Sequence, residues 1–239
     1  MRRVLVTGGG TGIGRAIAHA FDDAGDAVTI VGRRPEPLAE TAQGRDIACR
    51  TVDITDEAQV DALFDQPFDV VVANAGGGGA GKLTKLLLAD WNATLAVNLT
   101  GTFLTFRAAL RTLQQDARLI AIASTAALKG NASVPAYTAA KHGVLGLVRS
   151  IALDIAKSGA TCNAICPGFT DTDLADTAIT GLMTHLDKTR DEAMQMVASG
   201  NPQARLITPL EVAATALFLA SLEASAINGH ALSVSGGEI

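Results

Sequence analysis

The chain has 239 residues, 48% hydrophobic and 18% charged, so it can bury a sizeable core and is not a disordered segment. Its 19 basic and 24 acidic residues give a net charge of −5 without any run of like charge, which excludes the clustered basic face of a nucleic-acid binder. No apolar stretch reaches membrane-spanning length, and the apolar residues before Thr7 run straight into glycines, too short for a secretory signal, so a cytoplasmic protein without membrane contact is expected.

Short apolar, β-branched runs alternate with helical patterns from the first residues. A strand is expected at Val4–Thr7, then a glycine turn, a helix at Gly14–Ala24, and strands at Ala27–Val31 and Ala48–Val52. A helix at Asp56–Phe64, a strand at Asp69–Ala73 and a long helix at Asp90–Leu113 follow. The strand Arg118–Ala123, helix Ala136–Lys157 and strand Thr161–Ile165 come next, and helix Pro209–Leu222 and strand His230–Val234 complete the pattern. Continuously apolar strands separated by helices imply a parallel sheet covered on both faces. The expected class is therefore α/β: a Rossmann-type, doubly wound parallel sheet of about seven strands in one domain, with ligands at the C-terminal strand ends. Residues 173–205 have helical character but no strand, and their position suits a substrate lid.

Directly after the first strand stands Thr7-Gly8-Gly9-Gly10-Thr11-Gly12-Ile13-Gly14. Glycines between a strand and a helix let backbone N–H groups approach a pyrophosphate at the positive helix end. The spacing is Gly-x-x-x-Gly-x-Gly, and it resembles the Thr-Gly-x-x-x-Gly-x-Gly signature of the short-chain dehydrogenase/reductase family. The resemblance runs along essentially the whole chain. Asn74-Ala75-Gly76 matches that family's motif after the fourth strand, and Asp53, followed by Ile54, matches the position that meets the adenine ring. Pro167-Gly168 with Thr172 matches the segment that holds the nicotinamide carboxamide. The resemblance thus implies a dinucleotide site of Thr7, Gly8, Thr11, Gly12, Ile13, Gly14, Arg33, Asp53, Ile54, Asn74, Ala75, Gly76, Tyr137, Lys141, Pro167, Gly168 and Thr172.

The choice of dinucleotide turns on the end of the second strand. Gly32 stands where an acidic residue would bond a ribose 2′-hydroxyl, and Arg33 follows with the charge and planar fork suited to a 2′-phosphate. NADP(H) is expected, with NAD(H) as the alternative because Thr11 occupies a position in the glycine turn that is often basic in NADP-preferring relatives.

Tyr137 and Lys141 lie four residues apart and share a helix face. A free tyrosine, with a pKa of about 10, is a poor base at neutral pH, and a nearby ammonium favours its phenolate. Ser124 precedes Tyr137 by 13 residues, the family's spacing for a serine that hydrogen-bonds the substrate oxygen. Asn98 matches the family's asparagine, whose backbone is implied to hold a relay water for Lys141. The resemblance thus implies a catalytic tetrad of Asn98, Ser124, Tyr137 and Lys141 and hydride transfer between nicotinamide and a small carbonyl or alcohol substrate.

The substrate pocket is expected to be walled by Ala126, Leu128, Val134 and Phe169, with Gly76 to Gly79 leaving open space and the lid above. The lid mixes Leu174, Ile179, Leu182, Met183, Met194 and Met196 with Lys188, Arg190 and Arg205. This is similar to relatives acting on 3-oxoacyl or 3-hydroxyacyl thioesters; a small ketone, a sugar or a polyketide is the alternative. A dinucleotide sensor without catalysis would not need the tetrad, and a sugar-nucleotide epimerase would carry a substrate domain after the last strand. Cys49, Cys162 and Cys166 form no metal or disulfide pattern, and the last two read as small residues of a buried strand. His19, His142, His185 and His230 are scattered, so no metal is expected. The apolar faces of the two long helices suit a homodimer or homotetramer.

Overall fold

The computed structural model describes residues 1–239. Seven strands form one sheet: β1 (Arg3–Thr7), β2 (Ala27–Gly32), β3 (Ile47–Thr51), β4 (Val70–Ala73), β5 (Arg118–Ile122), β6 (Thr161–Pro167) and β7 (Ala231–Val234). Their order is β3-β2-β1-β4-β5-β6-β7, and every pairing is parallel. The order reverses direction between β1 and β4, which opens a crevice at the C-terminal ends of the strands.

Alternation along the strands splits the core in two. Leu5, Val71, Leu119 and Ala121 join one buried cluster, whereas Val4, Val6, Val70, Val72, Ile120 and Ile122 join the other. Successive side chains point to opposite faces, so strands apolar at every position must be covered twice. One cover contains α5 (Gly101–Arg111) and α6 (Pro135–Ile155), whose Phe106, Val144 and Val148 are buried there. The other contains α1 (Gly12–Asp23) and α9 (Pro209–Leu219), through Ile17, Phe21, Val212 and Leu219. Phe21 and Leu219 are fully buried, and each contributes about 1.5–3 kcal/mol relative to exposure.

Three helical details depart from the expected pattern. A helix at Pro35–Ala42, α2, follows β2, with a proline in its first turn, where the missing N–H is no loss, and Leu38 buried against the sheet. The short α3 (Glu57–Asp61) passes into a 3₁₀ turn at Ala62–Phe64. The expected helix over 90–113 is interrupted: α4 (Leu88–Leu95) runs into a π-helical turn at Ala96–Thr100 before α5 begins. In that turn the Gly101 N–H reaches Ala96 O, one residue beyond the α-helical partner.

Residues 173–205 form two helices, α7 (Asp173–Leu186) and α8 (Arg190–Ala198). They pack on each other through Ile179, Ala193 and Val197, a cluster separate from both sheet covers. Thr189 and Glu192 form a capping box that starts α8, and Thr208 and Glu211 do the same for α9. No helix is long and apolar enough to cross a membrane.

Candidate active site

The crevice between β1 and β4 opens into a cavity of about 1500 Å³, larger than the roughly 300–1,000 Å³ of an ordinary small-molecule pocket. It reaches from the glycine turn and the end of β2 to α7, leaving room for two molecules side by side.

The glycine turn is the tightest part of its wall. Gly8 and Gly12 have φ of +66° and +50°, the left-handed region that favours glycine. A Cβ on Gly8 would lie 2.8 Å from Ala75 Cα, and one on Gly14 would lie 2.1 Å from the Gly8 carbonyl oxygen. The backbone is thereby bared at the start of α1, where unpaired N–H groups and the helix dipole favour an anion. Gly14→Ala is expected to cost about 1–3 kcal/mol and to weaken dinucleotide binding; a denaturant midpoint and a binding titration measure the two effects.

Asn74 knits the turn to β4. Its Nδ2 donates to the carbonyls of Thr7 and Gly8 at 2.9 and 3.2 Å. The Thr7 hydroxyl accepts from the N–H groups of Asn74 and Ala75, both at 3.0 Å. Thr7 is buried and does not line the cavity; contrary to the expected direct contact, it braces Asn74 and Ala75, because its side chain points between β1 and β4. The other proposed dinucleotide residues line one continuous wall: Gly8, Thr11, Gly12, Ile13, Gly14, Arg33, Asp53, Ile54, Asn74, Ala75, Gly76, Tyr137, Lys141, Pro167, Gly168 and Thr172. Thr172 closes on the glycine turn, since a Cβ on Gly12 would come within 3.0 Å of its Cγ2. Hydrogen bonds from the N–H and hydroxyl of Thr55, at 2.9 and 2.7 Å, hold the Asp53 carboxyl below its ordinary range, and Arg33 adds to this. These features fit an extended dinucleotide.

Ser124, Tyr137 and Lys141 face the cavity from β5 and α6. Ser124 follows β5 in extended backbone, and its Oγ accepts from the Ala126 N–H at 3.1 Å. That bond uses one of the hydroxyl's two acceptor lone pairs and does not consume its O–H. Burial pushes the Tyr137 phenol above its ordinary range, while the adjacent Ser124 hydroxyl acts in the opposite sense. The lowering expected from Lys141 is not what dominates. The Lys141 ammonium lies 5.5 Å from the centre of the Tyr137 ring and donates to Ile122 O at 2.8 Å. Burial brings the Lys141 pKa down to about 8.

Asn98 is fully buried inside the π-turn and does not itself line the cavity, although Val97 does. Its Nδ2 donates to Gly77 O at 2.6 Å and Thr94 O at 2.9 Å, and its Oδ1 accepts from the Gly77 N–H at 3.1 Å. A Cβ on Gly76 would lie 2.6 Å from that Oδ1 and 3.4 Å from Lys141 Nζ, so Asn98 and Lys141 meet behind Gly76. The Asn98 carbonyl oxygen accepts from Thr102 Oγ1 at 2.9 Å.

At the far end, Ala126, Val134, Phe169, Leu174, Leu182 and Met196 line the cavity as expected. Leu128 packs on the core instead, and Ile179 and Met183 pack within the helix pair α7–α8. Met194 is exposed and outside the cavity lining. The three basic residues do not face the cavity either: Lys188 pairs with Glu192, Arg190 with Asp176 and Arg205 with Glu211. Arg34, Pro37, Lys129 and Glu238 line the cavity without having been singled out; Arg34 was signalled by its place beside Arg33, the others by nothing local.

A family model described as enoyl-(acyl carrier protein) reductase matches residues 8–238. The chain is 32% identical to the granaticin polyketide synthase putative ketoacyl reductase 1 of Streptomyces violaceoruber, across 98% of this chain and 91% of that protein. It is also 32% identical to the 3-oxoacyl-(acyl-carrier-protein) reductase of Vibrio harveyi, across 98% and 95%. Among solved structures, an actinorhodin polyketide ketoreductase variant with NADPH superposes with a TM-score of 0.94 at 31% identity, covering 99% of this chain and 97% of that one.

Proposed function

Because the chain belongs to the short-chain dehydrogenase/reductase family, as a nicotinamide-dependent oxidoreductase of ketones and alcohols, we propose that it reduces a 3-oxoacyl-type ketone with NADPH, Tyr137 acting as the proton donor. The observation that carries this reading is the pair of hydroxyls at the cavity wall. Ser124 accepts from Ala126 N–H and keeps its own O–H, and burial further disfavours ionisation of the Tyr137 phenol. Both therefore stand ready to donate to one carbonyl oxygen, the arrangement a reduction needs.

A dinucleotide held by the glycine turn, Asp53 and Thr172 would supply the hydride. Ser124 orients and polarises the carbonyl, and Tyr137 Oη gives its proton to the oxygen as negative charge develops there. Lys141, with its pKa near 8, can exchange a proton at neutral pH and so restore Tyr137; the cation also favours the transient phenolate. Asn98 is a positioning residue in this scheme, clamping Gly77 so that the loop from Gly76 keeps Lys141 and the cavity in register. Holding both reactants in one cleft contributes proximity.

Two features support NADPH over NADH. β2 ends in Gly32, with no carboxylate to repel a 2′-phosphate, and Arg33 and Arg34 both border the cavity there. Arg33→Ala is expected to lower kcat/KM for NADPH by about tenfold or more while changing that for NADH little. Equal losses with both dinucleotides would contradict the assignment.

The acyl part of the substrate rests on the apolar walls Val134, Phe169, Leu174 and Leu182, with α7 and α8 as the lid, and on the relatives named for ketoacyl substrates. Self-association belongs to the same reading: Phe103 on α5 and Leu153 on α6 are exposed apolar side chains on the two long helices, and light scattering is expected to give a dimer or tetramer mass. Cys49, Cys162 and Cys166 are all free, in keeping with a reducing, cytoplasmic setting.

A further inference from the structure

After β7 the chain turns back over the substrate end of the cavity. Gly236 and Gly237 have φ of +63° and +96°, and Gly236 packs so closely on Asn201 that a Cβ there would come within 2.0 Å of Asn201 Oδ1. Asn201 is itself buried and fixed, its Nδ2 donating to Arg205 O and its Oδ1 accepting from Gln203 N–H. This turn delivers Glu238 into the cavity wall. Gly168, just beyond β6, and Gly200, beyond α8, leave the space it occupies, since a Cβ on Gly168 would lie 2.9 Å from Glu238 Oε2. There Glu238, with only 11% of its side chain exposed, pairs with Lys129 at 2.9 Å. Lys129 belongs to the segment that begins at Ser124, and its N–H donates to Thr125 O. Both charged residues line the cavity.

We propose that the Lys129–Glu238 pair is a specificity-determining element that admits substrates carrying a neutral acyl group beside the reacting ketone and rejects those carrying a free carboxylate. This rests on the ketone-reductase reading above. Lys129 by itself would attract a carboxylate. Glu238 cancels that attraction, and it cannot be displaced without leaving a nearly buried carboxylate unpaired. A thioester or ester carbonyl meets no such repulsion, and it can accept from the ammonium hydrogens that Glu238 leaves free.

The test compares kcat/KM with NADPH for matched 3-oxo substrates, each as its ester or N-acetylcysteamine thioester and as its free acid. Wild type is expected to favour the neutral form. Glu238→Gln is expected to shift the acid-to-ester ratio toward the acid by about tenfold, because Lys129 is no longer neutralised. Lys129→Gln is expected to shift it the other way, and the double variant to return it to near the wild-type value. A structural role alone would lower both substrates together. Ratios that stay constant, or that move in the same direction in both single variants, would overturn the proposal while leaving ketone reduction intact. If wild type reduces neither form of any matched pair, the ketone-reductase reading fails and takes this proposal with it.

Discussion

Tyr137→Phe is expected to lower kcat by about 10² or more while leaving dinucleotide affinity close to wild type. The substitution removes one oxygen and keeps the ring, which fills the space beside Gly78, where a Cβ would lie 3.0 Å from the Tyr137 ring. Packing and the shape of the dinucleotide wall are thus preserved, and what is lost is the phenol O–H at the cavity wall beside Ser124. Turnover and a binding titration separate the two effects. Near-normal turnover would remove Tyr137 from the chemistry.

Lys141→Met is expected to reduce turnover comparably and, unlike most active-site losses, to make stability less dependent on pH. In the folded chain Lys141 titrates at about 8 because burial penalises its ammonium, whereas a lysine in the unfolded chain titrates near 10.4. Below pH 8 both states carry the proton and the folded state bears the whole burial cost. Between about pH 8 and 10.4 the unfolded state binds more protons, so wild-type stability rises with pH relative to the variant. The stability of Lys141→Met minus that of wild type should therefore fall by on the order of 3 kcal/mol across that window. Loss of the hydrogen bond to Ile122 O offsets part of the variant's advantage at neutral pH, so the slope, rather than the absolute difference, is diagnostic. Chemical denaturation at pH 7, 8.5 and 10.5 measures it. A difference that does not change with pH would contradict a buried ammonium at this position. A native state that tolerates such a charge is one in which stability has been traded for function.

The central strands were legible as continuous apolar runs such as Val4-Leu5-Val6 and Val70-Val71-Val72, because burial on both faces leaves no polar alternation to confuse the pattern. The largely exposed edge strand β3, by contrast, was marked only by its place in the alternation of strands and helices. Helix α2 was not legible, since Pro35 and Pro37 read as loop residues and only the buried Leu38 and Thr41 mark its inner face. The π-turn around Asn98 was equally hidden: one extra residue in a helical hydrogen-bond cycle scarcely alters an already apolar sequence.

The candidate site divides in the same way. Ser124, Tyr137, Lys141 and the glycine turn stand in local motifs whose spacing reports geometry. Thr7 was visible as part of a motif, yet its function as a brace depends on β4, which lies far away in sequence. Lys188, Arg190 and Arg205 were expected in the lid over the substrate, but their carboxylate partners draw them away from the cavity. Lys129 and Glu238 were invisible because no periodicity links a residue after β5 to one after β7; only the folded chain brings them together.

The central claim is hydride transfer from the nicotinamide to a ketone carbon with Tyr137 supplying the proton. The most direct measurement uses NADPH deuterated at the transferable C4 position with a 3-oxoacyl thioester in ordinary water, following the label in the product. The expected result is deuterium on the new carbinol carbon, with product formation slowed about 10² or more in Tyr137→Phe. Reduced product whose carbinol hydrogen comes from solvent, or undiminished labelling rates in the variant, would contradict it.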